Sequence, residues 1–317
     1  MHYGIHKPTI ENIKSAAQEL SNGNLVVFPT ETVYGLGGNA YNDTSVAKIF
    51  SCKNRPEFNP LSVCYESLER ASADIFIDEK AWLLAKCFLP GPVTMLLKRK
   101  PTSQLSWLCS VGLDTIGIRI PDHPVAQMLL AHLPFPLAAP SANQSGKISP
   151  TSAADVVDAM ETESLCIIDG GSCKIGIEST IVDLTGDNPV IVRLGAIGEN
   201  EITVKCGWSF RKNNLETPAK LLKHYTPGKK IVLNCHAVDE SDALLAFGAL
   251  FPNSCAHVLN LSANGDLNEA AANLFAMIRQ LDKTDAQRIC VMPIPNVGIG
   301  VSINDRLHKA ATASATF

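Results

Sequence analysis

Arg119 stands in the run LDTIGIRIP, in alternation with the β-branched residues Ile116, Ile118 and Ile120. A guanidinium inside such a strand is buried at a cost unless an anion faces it. That anion is a carboxylate of the chain, Asp114 or Glu178, or the carboxylate of a ligand. A second cationic stretch, KNRPEFNPLSV (53–63), puts Lys53 and Arg55 at the end of a helical pattern. The helix dipole accounts for cations there. It does not account for Asn59 and the two prolines, which hold the pair rigidly beside the next strand. A point charge beside a planar fork is what a polyphosphate requires. Arg193 in VIVRLGA ends a further strand, and Ser179 in GIESTIVDL begins one.

Hydroxyls and small polar groups fill the other chemistry-bearing stretches. PLAAPSANQSGKISPTSAADVV (136–157) runs from a short apolar strand through Ser141, Asn143 and Ser149 into a helix. Ser149 followed by Pro150 reads as an N-cap and first-turn pair. The same groups at a helix N-terminus also suit an anion. FPTETVYGLGGNA (28–40) offers the hydroxyls of Thr30 and Thr32 and a glycine-rich turn after a strand. Its G-x-G-G spacing is not a dinucleotide fingerprint, and no Walker-type G-x-x-x-x-G-K-[ST] occurs. His123 and His132 lie in a helical stretch without a Ser or Cys partner, and PSANQSG is not a G-x-S-x-G elbow. Cations and hydroxyls without a general base suit phosphoryl or nucleotidyl transfer, where positioning and charge neutralisation do most of the work.

The whole chain narrows this further. Its 317 residues are 46% hydrophobic and 18% charged, with a net charge of −4, which argues against a protein that binds nucleic acid through bulk charge. Residues 1–230 hold 22 Lys and Arg against 23 Asp and Glu, so any cationic site is a local cluster. Ten cysteines are scattered without C-x-x-C, which fits reduced, buried thiols and no metal site built from side chains. No apolar run reaches membrane-spanning length and the first residues lack a signal-peptide pattern, so a cytoplasmic protein is expected.

The elements that must position these residues follow from pattern. Helices are expected over 9–22, from 43 to before Pro56, and near 78–88, 123–132 and 151–160. Short β-branched strands are expected in NLVVF, LSVCY, VTMLLK, TIGIRI, FPLAA, LCIID, STIVDL and VIVRL. Strands outnumber helices, which predicts an α/β fold with a twisted mixed sheet and packed helices. Polar, proline-bearing residues 207–229 read as a linker between a first unit, 1–206, and a second, 230–317. Beyond the linker, KIVLN, a helix over 237–250, AHVLN, a helix over 267–281, RICVMP and a helix over 301–312 predict a small parallel α/β unit.

The stretches quoted above, with LPGPVT, GLDTIGIRIPDHP and VIVRLGAI in the same order, resemble the YrdC-domain family. TPAKLLKHYTP and INDRLHKAA extend the resemblance to its long two-domain branch, the L-threonylcarbamoyladenylate synthases. The resemblance implies a YrdC-like unit followed by a Rossmann-like one. It also implies a reaction: the threonine amine captures bicarbonate or CO2 as a carbamate, whose oxygen attacks the α-phosphate of ATP and expels pyrophosphate. ATP would enter with Mg2+, and the product would pass to a separate transferase complex acting on a tRNA anticodon-loop adenosine. Lys53, Arg55, Asn59, Thr115, Ser141, Asn143, Ser149, Arg193 and Tyr225 would contact ATP, with Lys53 and Arg55 stabilising charge. Thr30, Thr32, Cys64, Arg119, Ala139 and Ser179 would hold threonine, Arg119 on its carboxylate. Tyr225 would fold back with the linker over the site.

Three positions depart from the family pattern: Cys64 stands where His is usual, Ala219 where Gly is usual, and Leu194 replaces the common Pro after Arg193. A non-enzymatic RNA-binding translation or ribosome-assembly factor is the alternative reading. Balanced charge and cations set in strands and rigid loops count against it.

Overall fold

The computed structural model describes residues 4–160, 165–210, 225–252 and 254–314. The first part begins with β1 (Gly4–His6), α1 (Ile10–Ser21), β2 (Val26–Phe28), β3 (Gly35–Asn39), α2 (Asp43–Lys53), β4 (Ser62–Cys64), α3 (Leu68–Ala71) and α4 (Glu79–Phe88). It continues through β5 (Val93–Lys98), α5 (Trp107–Ser110), β6 (Thr115–Arg119), α6 (Pro124–Ala131), β7 (Leu137–Ala138) and α7 (Ala153–Ala159). It closes with β8 (Cys166–Ile168), β9 (Thr180–Asp183), β10 (Val190–Arg193) and α8 (Glu199–Cys206). The second part holds β11 (Lys230–Val232), β12 (Ala243–Ala246), β13 (His257–Asn260), α9 (Leu267–Asp282), β14 (Arg288–Val291) and α10 (Gly300–Ser314). Among the described residues no helix is long and apolar enough to cross a membrane.

Ten strands form one mixed sheet in the order β1-β8-β2-β3-β7-β4-β6-β5-β9-β10. Strand alternation sends successive side chains to two cores. Val26 and Phe28 pack with α1 and α6 through Ile13, Leu20, Val125 and Leu129. Val27 faces the larger core with Leu36, Val63, Met95, Ile116, Ile118 and Val182. Helix α1 starts where expected, with the Thr9 hydroxyl accepting the Asn12 N–H at 3.3 Å.

Three local expectations are corrected. The glycine-rich stretch after Thr32 is not a turn but the buried strand β3, antiparallel to β2. Its glycines serve close packing: a Cβ on Gly37 would lie 2.8 Å from Phe28 Cε1, and one on Gly38 2.9 Å from Leu25 Cδ2. Ser149 does not cap α7. Ser152 does, in a capping box with Asp155. Finally, the helix expected over 237–250 is replaced by β12. Its run ALLA is buried on both faces of a four-stranded, all-parallel sheet ordered β11-β14-β12-β13. A continuous apolar run carries no period, so burial in the sheet decides between helix and strand. Helices α9 and α10 supply Leu274, Phe275, Ile278, Ile303 and Leu307 to this second core.

Candidate active site

Sheet register builds the floor of the site. In adjacent strands Cys64 pairs with Arg119, Arg119 with Thr94, Thr94 with Ile181, and Ile181 with Arg193. Paired positions project to the same face, so Cys64, Arg119, Thr94 and Arg193 share one. Ser179, two residues before Ile181, joins them, its hydroxyl 2.8 Å from that of Thr94.

Arg119 meets neither Asp114 nor Glu178. Its partner is Glu31, with Nη2 donating to Oε1 at 2.8 Å and both side chains buried. The same Nη2 donates to Thr32 Oγ1 at 2.7 Å, and the Thr30 and Thr32 hydroxyls lie 2.9 Å apart. Arg119 Nε is buried without a hydrogen bond among the described residues. Cys64 is buried beside this group, and burial pushes its thiol up to about 11 against the pull of Arg119, so it sits there as a neutral thiol. Ala139 flanks β4, its N–H donating to Ser62 O at 2.9 Å.

A second wall is the loop after β7. Lys53, the last residue of α2, is 1% exposed, and its ammonium donates to the carbonyls of Ser141 and Asn143. It therefore ties the 141–149 loop to α2. The dipole account of Lys53 is insufficient, because the ammonium reaches another element. Burial, followed by the nearby Arg55, lowers its pKa to about 7. Arg55 donates to the carbonyls of Asn59 at 3.0 Å and Pro60 at 2.8 Å, the rigid proline-flanked turn expected of it. Burial, then Arg193, brings Arg55 down to about 10. Asn143 is buried; its amide donates to Gln144 O and Lys147 O, while Oδ1 has no hydrogen bond among the described residues. Thr115 lies at the other end of β6 from Arg119, opposite Lys98.

Glu178 joins the two walls. Its Oε1 accepts the Ser149 hydroxyl at 2.7 Å, and its Oε2 accepts Tyr225 OH at 3.2 Å and Arg306 Nε at 3.2 Å. Burial pushes its carboxyl up, but Arg306, Arg193 and Ser149 together bring it below the ordinary range. Arg193 grips the start of β9, donating to Ser179 O at 2.8 Å and Ser179 Oγ at 3.0 Å. Tyr225 stacks on Phe275 of α9 with ring centres 5.3 Å apart. Residues 211–224, including Ala219, lie outside the described residues.

Sequence reasoning missed Glu31, Thr94, Arg279 and Arg306. Arg279 of α9 donates to the carbonyls of Ile148 at 3.2 Å and Ser149 at 3.1 Å. Arg306 carried a readable signal. Ile303, Arg306, Leu307 and Ala310 are all buried, so the arginine lies on the apolar stripe of α10 at helical spacing. A cation on such a stripe demands a buried anion.

The site therefore gathers Lys53, Arg55, Arg119, Arg193 and Arg306 around two carboxylates, Glu31 and Glu178. Net positive charge, hydroxyls and loop amides can neutralise and orient a polyanion without a general base. A family model described as "Telomere recombination" matches residues 18–195, and one described as "Threonylcarbamoyl-AMP synthase, C-terminal domain" matches residues 189–312. The chain is similar to the threonylcarbamoyl-AMP synthase of Pyrococcus abyssi, 35% identical over 322 residues covering 94% of each. It is equally similar to that of Bacillus subtilis, 35% identical over 94% of this chain and 92% of the relative. The crystal structure of P. abyssi Sua5 complexed with L-threonine superposes with a TM-score of 0.88 at 33% identity, covering 98% of both chains.

Proposed function

The chain belongs to the threonylcarbamoyl-AMP synthase family, and from that premise we propose how its side chains divide the formation of threonylcarbamoyl-AMP and pyrophosphate from L-threonine, bicarbonate and ATP. The observation that supports the division is that two of the four buried polar side-chain atoms without hydrogen bonds among the described residues belong to residues assigned to the ligands, Arg119 Nε in one wall and Asn143 Oδ1 in the other. Buried polar groups are rarely left so, and for two that face one site a bound ligand is the completion proposed here.

Arg119 takes the threonine carboxylate through Nε, while Glu31 and Thr32 take the two Nη2 protons and fix the guanidinium plane. Thr30, Thr32 and Ser179 surround the amino acid, with Cys64 and Ala139 as its apolar side. Bicarbonate takes up a proton and loses water to give CO2. The neutral threonine amine attacks its carbon, and the proton lost from nitrogen balances the one bicarbonate consumed, leaving the carbamate. A carbamate oxygen then bonds to the α-phosphorus of ATP, and the bond from that phosphorus to the bridging oxygen breaks. Pyrophosphate leaves with the electron pair. Arg55, held by the Asn59 turn, and Arg193 face the charge that builds on the phosphates. Lys53 has three donors and gives two to the 141–143 carbonyls, which leaves one for phosphate. Ser141, Asn143, Ser149 and Thr115 hold the nucleoside side. Mg2+ would arrive on the ATP phosphates as part of the substrate, since both nearby carboxylates are committed to arginines.

Residues 1–206 form the catalytic unit in this reading. Tyr225 reaches Glu178 beside the site, and the described residues of the second part back it. The product passes to a tRNA threonylcarbamoyl transferase complex. All ten cysteines are free, which supports a reducing, cytoplasmic setting. The RNA-binding alternative is not favoured, because cations as buried as Lys53 and Arg119 cannot spread along a phosphate backbone. Pyrophosphate release should require L-threonine, bicarbonate and ATP together; release that ignores threonine would refute the reading.

A further inference from the structure

We propose that Arg306, from the second unit, is a positioning residue for ATP: it holds Glu178 as the acceptor of the Ser149 hydroxyl proton, so that Ser149 meets the nucleotide only as an acceptor. The inference rests on the assignment of Ser149 to ATP made above. A hydroxyl has one proton, and Ser149 gives its own to Glu178 Oε1 at 2.7 Å. What remains toward the site is its lone pairs. Such an oxygen recognises a donor on the nucleoside, a sugar hydroxyl or an exocyclic amine, and repels a phosphate oxygen.

Only while ionised is Glu178 an acceptor and nothing else, which fixes the direction of the Ser149 bond. Four elements bear on it: α10 through Arg306 and Asp305, β10 through Arg193, the residue-149 loop through Ser149, and the linker end through Tyr225. Arg306 is the cation in direct contact, with Nε at 3.2 Å and Nη2 at 3.3 Å from Oε2, and is 1% exposed. Asp305 accepts from Arg306 Nη1 at 3.0 Å and fixes the guanidinium from behind. Arg279 holds the carbonyl side of the same serine. Two arginines of the second unit thus set both ends of Ser149.

Removing Arg306 takes away the largest influence that opposes burial and leaves Arg193, the Ser149 and Tyr225 hydroxyls and a backbone hydrogen bond, so the Glu178 carboxyl titrates at higher pH. Once protonated it is no longer confined to accepting: a proton on Oε1 makes it a donor to Ser149, and one on Oε2 leaves only a weaker, neutral acceptor, so the serine is free to turn. The full-length chain, its R306Q, R306K and S149A variants and the R306Q/S149A double variant, each checked for folding by circular dichroism, are titrated with ATP by calorimetry between pH 6 and 8. The ratio of variant to wild-type Kd cancels the titration of ATP and of other site groups. For R306Q that ratio should reach about tenfold and grow as the pH falls. R306K should recover part of the loss. S149A should add little in the R306Q background, because the hydroxyl is already misdirected. A pH-independent ratio for R306Q, or S149A and R306Q effects that multiply in full, would overturn the proposal and leave Arg306 a packing residue. The calorimetry decides this even if the wild type binds ATP without releasing pyrophosphate, an outcome that would sink the assigned reaction instead.

Discussion

At the scale of single residues, the site shows charges whose solvation has been replaced by named partners. Arg119 and Glu31 are a buried pair, so Arg119→Ala strands a carboxylate and, in the proposed assignment, also removes the threonine contact. Breaking such a pair costs about 3–5 kcal/mol. The R119A/E31Q double variant should regain part of that stability in urea denaturation while still failing to respond to threonine. A double variant no more stable than R119A would mean that Glu31 finds other support. Lys53 makes a different prediction. Its pKa of about 7 in the folded chain lies below the ordinary 10.5, so the unfolded chain binds the extra proton between those values. Its contribution to stability therefore rises with pH across that window and is flat below it. With Lys53 on the phosphates, as proposed, ATP binding would favour the charged ammonium, so affinity should fall by up to about tenfold per unit as pH rises above 7. Lys53→Met should flatten that slope; an unchanged slope would assign it to another group.

At the scale of elements, β3 shows how backbone shape serves the site without touching it. The strand lies between β2 and β7 and fixes the turn that carries Thr30, Glu31 and Thr32. A methyl group on Gly37 would press on Phe28 at 2.8 Å and 3.3 Å and on Leu137 at 3.4 Å. Overpacking of this kind costs about 1–3 kcal/mol, so Gly37→Ala should lower the denaturation midpoint. Below that midpoint its KM for ATP should stay near the wild-type value. A stable G37A chain would show that Phe28 has room to move. The capping box of α7 works on the same scale: Ser152 holds the helix, which leaves the Ser149 hydroxyl to Glu178.

At the scale of the whole molecule, the second unit completes the site from outside. Arg279, Arg306 and Tyr225 reach into the first sheet's loops, and Ser302 Oγ donates to Gly195 O at 2.7 Å. The close approach needs Gly176, whose φ of +78° and lack of a side chain let α9 come near. A Cβ there would lie 2.5 Å from Ala271 O and from Ala272 Cα, both backbone atoms. Gly176→Ala should lift α9 from the loop, speed cleavage within 207–228 by a protease, and weaken ATP binding about tenfold. Equal cleavage rates in both proteins would show that the interface absorbs the change.

The sequence by itself determined much of this. Caps and β-branched runs located α1, α2 and most strands of the first sheet, because those signals are local. Residue types named the cations and hydroxyls of the site, and a chain of ordered motifs named the family. Partners were another matter. Arg119 was legible as a charge needing an anion, but Glu31 rather than Asp114 or Glu178 meets it, because the β2–β3 turn folds over β6. ALLA in β12 and GLGGN in β3 lack a period that separates strand from helix or turn, and sheet pairing settled both. The polarity of Ser149 was set across an interface by Arg306, more than 150 residues away in the chain. Hydrogen-bond direction and the protonation of a buried group depend on what surrounds them in space, and only the tertiary structure fixes that.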